Sequence, residues 1–345
     1  MIFVSSLLSR AFRWHVPSYV FLPAVLLVLF LYMRNQTLQS VSASNFSAES
    51  KNSFSDSNTQ DGDMLRLKEY KLTGPLLLTE NNFIASDFSP IKERLNMLIS
   101  TNINLGNIET ASVFLRKLNE SGFVSINQSV VYNPGSMMKI PIMMTCLKQA
   151  MEDPSILKKK LLFVGPMPGL LVEEGSKAVL KPGNSYPISE LIEFMIIDSD
   201  NESMALLFNF LGQDKLDKIF IDLEIKLPRR DAEAFNMNTS NFARFLTVLY
   251  NATYLDVKNS EWALSTLSKA KYNKGITNSL PKEITVAHKY GVATSGKTNM
   301  LSESAIIYPN GDPYIMVVMT KGTAFDKQAG FISDLSAMVY GSLSN

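Results

Sequence analysis

The sequence predicts an α+β domain: an antiparallel five-stranded sheet flanked by helices, with an all-helical subdomain inserted between its strands. Three observations carry this. Residues 110–118 and 122–128 read as two strands joined by the polar turn Asn119-Glu120-Ser121. Residues 284–292, 304–308 and 314–320 read as three more, the last two linked by Pro309-Asn310-Gly311-Asp312, a hairpin signal. Between the two groups lies a run of helical patterns too long for a crossover, so a sheet built from both ends of the chain is the economical solution.

Each element follows from spacing and punctuation. Residues 89–101 place Leu95, Leu98 and Ile99 at helical spacing, with Pro90 in the first turn. Gly135-Ser136 opens a long apolar helix to about residue 152. Residues 190–198, 202–211, 215–223, 241–251 and 261–270 read as further helices, and 327–343 as a terminal one. The folded domain is expected over 65–345, with its helical insert at about 140–275.

The N-terminal region is of another kind. Residues 16–33 form an uncharged, mostly apolar run, preceded by Arg10, Arg13 and His15 and followed by Arg34. At about 1.5 Å per residue it nearly crosses a hydrocarbon core of about 30 Å. A retained anchor is expected at 16–33, after a short cytoplasmic segment at 1–15. The alternative is a cleaved signal peptide; its small-residue site would be Ser42-Ala43, about ten residues past the run. The arginine asymmetry favours a single-pass protein of the cell membrane, N-terminus cytoplasmic and the rest outside. Residues 34–64 are rich in Ser, Asn and Asp and poor in large apolar residues, the composition of a flexible tether.

Composition narrows the chemistry. With 33 Lys+Arg against 32 Asp+Glu the net charge is +1, which argues against a nucleic-acid partner. The single cysteine, Cys146, cannot close an intramolecular disulfide and reads as a core thiol. The two histidines are His15 and His288. Zinc sites of clustered Cys and His are out. A serine nucleophile must find a base other than histidine unless it uses His288.

Such a base is present in Gly135-Ser136-Met137-Met138-Lys139. Ser136 stands at a helix N-terminus, and Lys139 lies one turn on along the same face. Buried beside the hydroxyl, the lysine could release its proton and activate the serine. Taken alone, Ser136 is as readily a helix cap and Lys139 a surface residue. Ser199-Asp200-Asn201 follows an apolar helix and opens the next; it is either a capping tripeptide or a polar loop facing Ser136. In the strand at 284–292, alternation puts Ala287, Lys289 and Gly291 on one face. There Lys289 is an ordinary edge lysine or a carboxylate anchor, and Gly291 leaves room for a substrate along the strand.

Taken together, in this order, these residues resemble the SxxK, SDN and KTG set of the class A β-lactamase and penicillin-binding serine hydrolase superfamily. The separations, 63 residues from Ser136 to Ser199 and 90 more to Lys289, are similar to that family's. The likeness extends from about Ala85 to the end. It implies the β-lactamase/transpeptidase-like fold, no metal or organic cofactor, and a β-lactam or peptidoglycan-like peptide as partner. It also implies roles. Ser136 would be acylated, with Lys139 as its base. Ser199 would pass the proton to the departing nitrogen. Asn201 would bind a substrate amide and Lys289 its carboxylate. The backbone N–H groups of Ser136 and Val292 would form the oxyanion hole. A monomer is expected.

The chain departs from that pattern twice. Tyr290 replaces the usual Thr or Ser, and its side chain is expected to point away from Lys289; a hydroxyl is then missing from the carboxylate site unless a neighbour supplies it. The E-x-x-x-N loop of class A enzymes has only an approximate counterpart, in which Glu233 lies 34 residues after Ser199 but Asn236 follows by three, not four. Glu233 is a deacylation base or a solvated loop carboxylate. Three functions therefore stand: a β-lactamase-like hydrolase, a D-Ala-D-Ala carboxypeptidase or transpeptidase with slow deacylation, and an inactive envelope binding protein on the same fold. Residues 291–298 match G-x4-G-K-[ST], but no helix pattern follows, so a strand-connecting loop is expected. Asn201 lies in one of seven N-x-[ST] sequons; a glycan there would block the cleft.

Overall fold

The computed structural model of the chain describes residues 65–67, 69–78, 88–120, 122–166, 179–227 and 236–343. The expected anchor at 16–33, the tether and Glu233 lie outside the described residues. Among those described, no helix is long and apolar enough to cross a membrane. In chain order the elements are β1 (Leu65–Arg66), β2 (Leu76–Leu78), α1 (Ser89–Asn104), β3 (Thr110–Lys117), β4 (Phe123–Ile126), α2 (Lys139–Glu152), β5 (Lys160–Leu162), β6 (Ser185–Pro187), α3 (Ile188–Ile197), α4 (Asn201–Leu211), α5 (Gln213–Asp222), α6 (Thr239–Tyr250), α7 (Val257–Leu267), β7 (Thr285–Ser295), β8 (Thr298–Tyr308), β9 (Tyr314–Gly322) and α8 (Phe325–Leu343).

The sheet runs β4-β3-β9-β8-β7, antiparallel throughout, so strands from the two ends of the domain meet at its centre. β3 and β9 pair from Thr110↔Lys321 to Lys117↔Tyr314. The central strand β9 is apolar over Tyr314–Met319 because both faces of the sheet are covered. Alternation divides its side chains. Met316 and Val318 pack with Leu95, Leu115, Phe331 and Leu335 from α1, β3 and α8. Val317 and Met319 pack with Met143, Leu147, Ile192 and Phe245 from the helical insert.

β8 begins six residues before the strand expected at 304–308. Ser302, Glu303 and Ser304 are fully buried polar residues, so hydropathy conceals the strand's first half. Most of 291–298, expected to be a loop, is strand as well. Only Gly296-Lys297 separates β7 from β8, with Gly296 at φ +60. A two-residue link with positive φ closes a hairpin and leaves no place for a phosphate-binding helix.

Candidate active site

Ser136 does not open the α-helix as expected. It sits in a 3-10 turn, Gly135–Met138, which runs directly into α2 at Lys139. The cause is local: Gly135 adopts φ +53, its N–H donates to Asn133 Oδ1 at 3.0 Å, and the Met137 N–H returns to the Pro134 carbonyl at 3.2 Å. A 3-10 turn has three residues per turn, so Ser136 and Lys139 align more closely than on an α-helix.

The turn is fixed by β7. A Cβ on Gly291 would lie 2.0 Å from the Pro134 carbonyl oxygen, 2.7 Å from Met137 N and 2.8 Å from Ser136 N. A Cβ on Gly135 would lie 2.2 Å from the Val292 carbonyl oxygen and 2.8 Å from Val292 N. Both positions admit only glycine, and their closeness brings the amides of Ser136 and Val292 to the same seam.

Ser199 joins α3 to α4 at φ +57, a conformation costly for a residue with a side chain, by about 1–3 kcal/mol. It is held from both sides. The Asp200 N–H donates to the Phe194 carbonyl at 3.2 Å, and Asp200 caps α4 by accepting from Ser203 N at 2.7 Å. Lys139 Nζ donates to the Ser199 carbonyl at 2.6 Å and to Ser199 Oγ at 3.0 Å. Lys289 Nζ donates to the same Oγ at 2.9 Å. One hydroxyl therefore accepts from two lysines, each almost fully buried.

Ser136, Lys139, Ser199 and Lys289 are all buried, and Asn201, the first residue of α4, is half-buried. Gly291, expected to leave room for a substrate along the strand, instead makes room for the Ser136 turn, and Val292 lies against Gly135. Glu233 is outside the described residues; downstream, Met237 exchanges both backbone hydrogen bonds with Tyr132, at 3.0 and 2.8 Å, four residues before Ser136. His288 takes no part. It alternates to the other face of β7, where Nδ1 lies 2.8 Å from Glu303 Oε1, and Glu303 Oε2 accepts from Ile276 N at 2.9 Å. Sequence reasoning missed Glu303, whose charge gave no sign of burial.

Tyr290 departs from expectation. Its ring does not turn away from Lys289: the centroid lies 4.4 Å from Lys289 Nζ, and the ring stacks on Tyr272 at 4.0 Å and 15°. β7 is the edge strand, so a side chain can fold around the rim of the sheet. Tyr272, which no motif marks, was also missed; burial, foremost, and then Glu303 hold its hydroxyl well above the usual tyrosine range. Cys146 is a core thiol as expected, its pKa pushed up to about 12 by burial. A cavity of about 470 Å³ lined by Leu72, Leu157 and Trp262, among others, contains none of the site residues.

A serine-bearing turn, two buried lysines on one hydroxyl and two amides on a glycine seam form one arrangement that could support acyl transfer to a serine. Residues 90–343 match the sequence model of the Beta-lactamase enzyme family. The chain belongs to this family. Among solved structures it is similar to the TLA-1 extended spectrum β-lactamase, at 18% identity over 74% of this chain and 99% of that one, with a TM-score of 0.65. The class A β-lactamase from Mycobacterium abscessus matches at 19% identity over 72% and 99%, with a TM-score of 0.63. A PBP-A mutant in acyl-enzyme complex with penicillin-G matches at 22% identity over 74% and 96%, with a TM-score of 0.61. These likenesses establish the β-lactamase-like fold. No curated protein sequence matches.

Proposed function

We propose that the protein is a membrane-anchored serine hydrolase that opens β-lactams through an acyl-Ser136 intermediate. Ser136 Oγ attacks the lactam carbonyl and passes its proton to neutral Lys139. The Ser136 and Val292 amides hold the oxyanion. As the C–N bond breaks, the Ser199 hydroxyl gives its proton to the departing nitrogen and is reprotonated from the lysine pair. Asn201 binds the substrate amide, and Lys289 receives the carboxylate of a substrate that carries one. Water then cleaves the acyl ester, with Glu233 as candidate base. Residues 16–33 hold the domain at the outer face of the membrane.

The observation that carries this reading is the single hydroxyl, Ser199 Oγ, hydrogen-bonded to both Lys139 and Lys289. Reaction as a penicillin-binding carboxypeptidase or transpeptidase is the second reading, supported by the likeness to PBP-A and by the altered E-x-x-x-N pattern around Glu233. The acyl-enzyme lifetime separates them. Nitrocefin turnover that is lost in Ser136→Ala supports the hydrolase. A Ser136 adduct that persists for hours supports the penicillin-binding reading, and no reaction at Ser136 refutes both.

A further inference from the structure

The geometry around Tyr290 points to a selectivity device. Its ring is held by two partners: it stacks on Tyr272 with centroids 4.0 Å apart, and Lys289 Nζ lies 4.4 Å from its centroid. The same ammonium donates to Ser199 Oγ at 2.9 Å and to the Tyr290 carbonyl at 3.2 Å. Lys289 is 1% exposed, so what reaches its charge is decided by the groups packed on it. The face of an aromatic ring carries the negative end of its quadrupole, which attracts an ammonium and repels a carboxylate. Where a threonine or serine would offer a small hydroxyl donor beside the lysine, this chain presents a π-face that engages the ammonium itself. The stack on Tyr272 opposes rotation of the ring out of the way.

We propose that Tyr290, clamped by Tyr272, is a specificity-determining residue that turns the site away from acyl donors bearing a carboxylate beside the scissile bond and toward esters and amides uncharged there. This rests on the acyl-serine reading above. An incoming carboxylate must displace the ring and break the stack before it reaches Lys289, whereas an uncharged group leaves the ring in place. β-Lactam acids are then slow substrates, and uncharged donors the better class.

Benzylpenicillin and its methyl ester share one scissile ring and differ in that carboxylate. The acid-to-ester ratio of Ser136 acylation rates, followed by intact-protein mass spectrometry, is the readout. In Tyr290→Thr the ratio is expected to rise by about tenfold or more, the scale of one hydrogen bond to a charged group. In Tyr290→Phe, which keeps the π-face, it should stay within about twofold. Tyr272→Leu releases the clamp without touching Tyr290 and should raise the ratio by a smaller factor, which provides a test if the threonine variant does not fold. An unchanged ratio in both Tyr290→Thr and Tyr272→Leu, or a fall in Tyr290→Phe showing that the phenol hydroxyl binds the carboxylate, overturns the inference and leaves the acyl-serine reading standing. Absence of labelling at Ser136 by either donor in every protein overturns both.

Discussion

Gly291→Ala tests whether the glycine seam builds the reactive geometry. The added methyl would stand 2.0, 2.7 and 2.8 Å from three backbone atoms of the Ser136 turn, none of which can rotate aside. Relief requires β7 and the turn to part by about 1 Å, a displacement on the scale that costs an active site about a hundredfold. Loss of one oxyanion donor costs about 10²–10³ in rate. The acylation rate with nitrocefin is therefore expected to fall by about two to three orders of magnitude. Stability should fall by only about 1–3 kcal/mol, the range for overpacking, so the variant stays folded. Stopped-flow acylation alongside urea unfolding measures both. Gly330→Ala is the control: a Cβ there meets nothing within 4 Å in the middle of α8, so rate and fold should be preserved. A folded Gly291→Ala protein that acylates at the wild-type rate would refute the seam as the origin of the oxyanion site.

Other perturbations probe separate parts. Lys139→Ala removes the donor that holds Ser199 in its left-handed conformation; acylation should drop by at least about 10³, and stability by about 1–3 kcal/mol from the orphaned Ser199 carbonyl. Retained acylation would exclude Lys139 as base. Glu303→Ala leaves His288 and the Ile276 amide without their buried acceptor, and a loss of about 3–5 kcal/mol is expected from the urea midpoint; an unchanged midpoint would deny the pair a structural role. Cys146, fully buried with its pKa raised to about 12, should resist iodoacetamide at pH 8 in the native protein and react on unfolding. Glu233→Gln should slow release of the acyl group by at least about 10² while sparing its formation if that carboxylate is the deacylation base; equal lifetimes would remove it from the mechanism.

What the sequence reveals of this site depends on how locally each feature is determined. The period of a strand places Lys289 and Gly291 on one face wherever the strand packs, and a spacing of three brings Lys139 near Ser136 in either kind of helical turn, but that these residues form one candidate site is legible only through the resemblance of their order and spacing to a known motif set. The 3-10 turn is not, because it depends on Gly135 in a left-handed conformation and on β7 docking against it, a contact between residues more than 150 positions apart. The first half of β8 is hidden for a related reason: Ser302 and Glu303 read as loop until pairing with β7 and, for Glu303, partners on β7 and on the 276–279 turn bury them. Tyr290 misleads because alternation fixes where a side chain leaves the backbone and not where its far end goes: on the edge strand β7 the long Lys289 stem and the Tyr290 ring meet.

The most direct measurement is peptide mapping by tandem mass spectrometry after prolonged exposure of the purified full chain to benzylpenicillin and, separately, to its methyl ester, with Ser136→Ala treated alongside. A penicilloyl group on Ser136 of the wild type, absent from the variant, is the predicted result. Modification of a different residue, or no adduct and no product from a correctly folded wild type, would contradict the assignment of Ser136 as nucleophile.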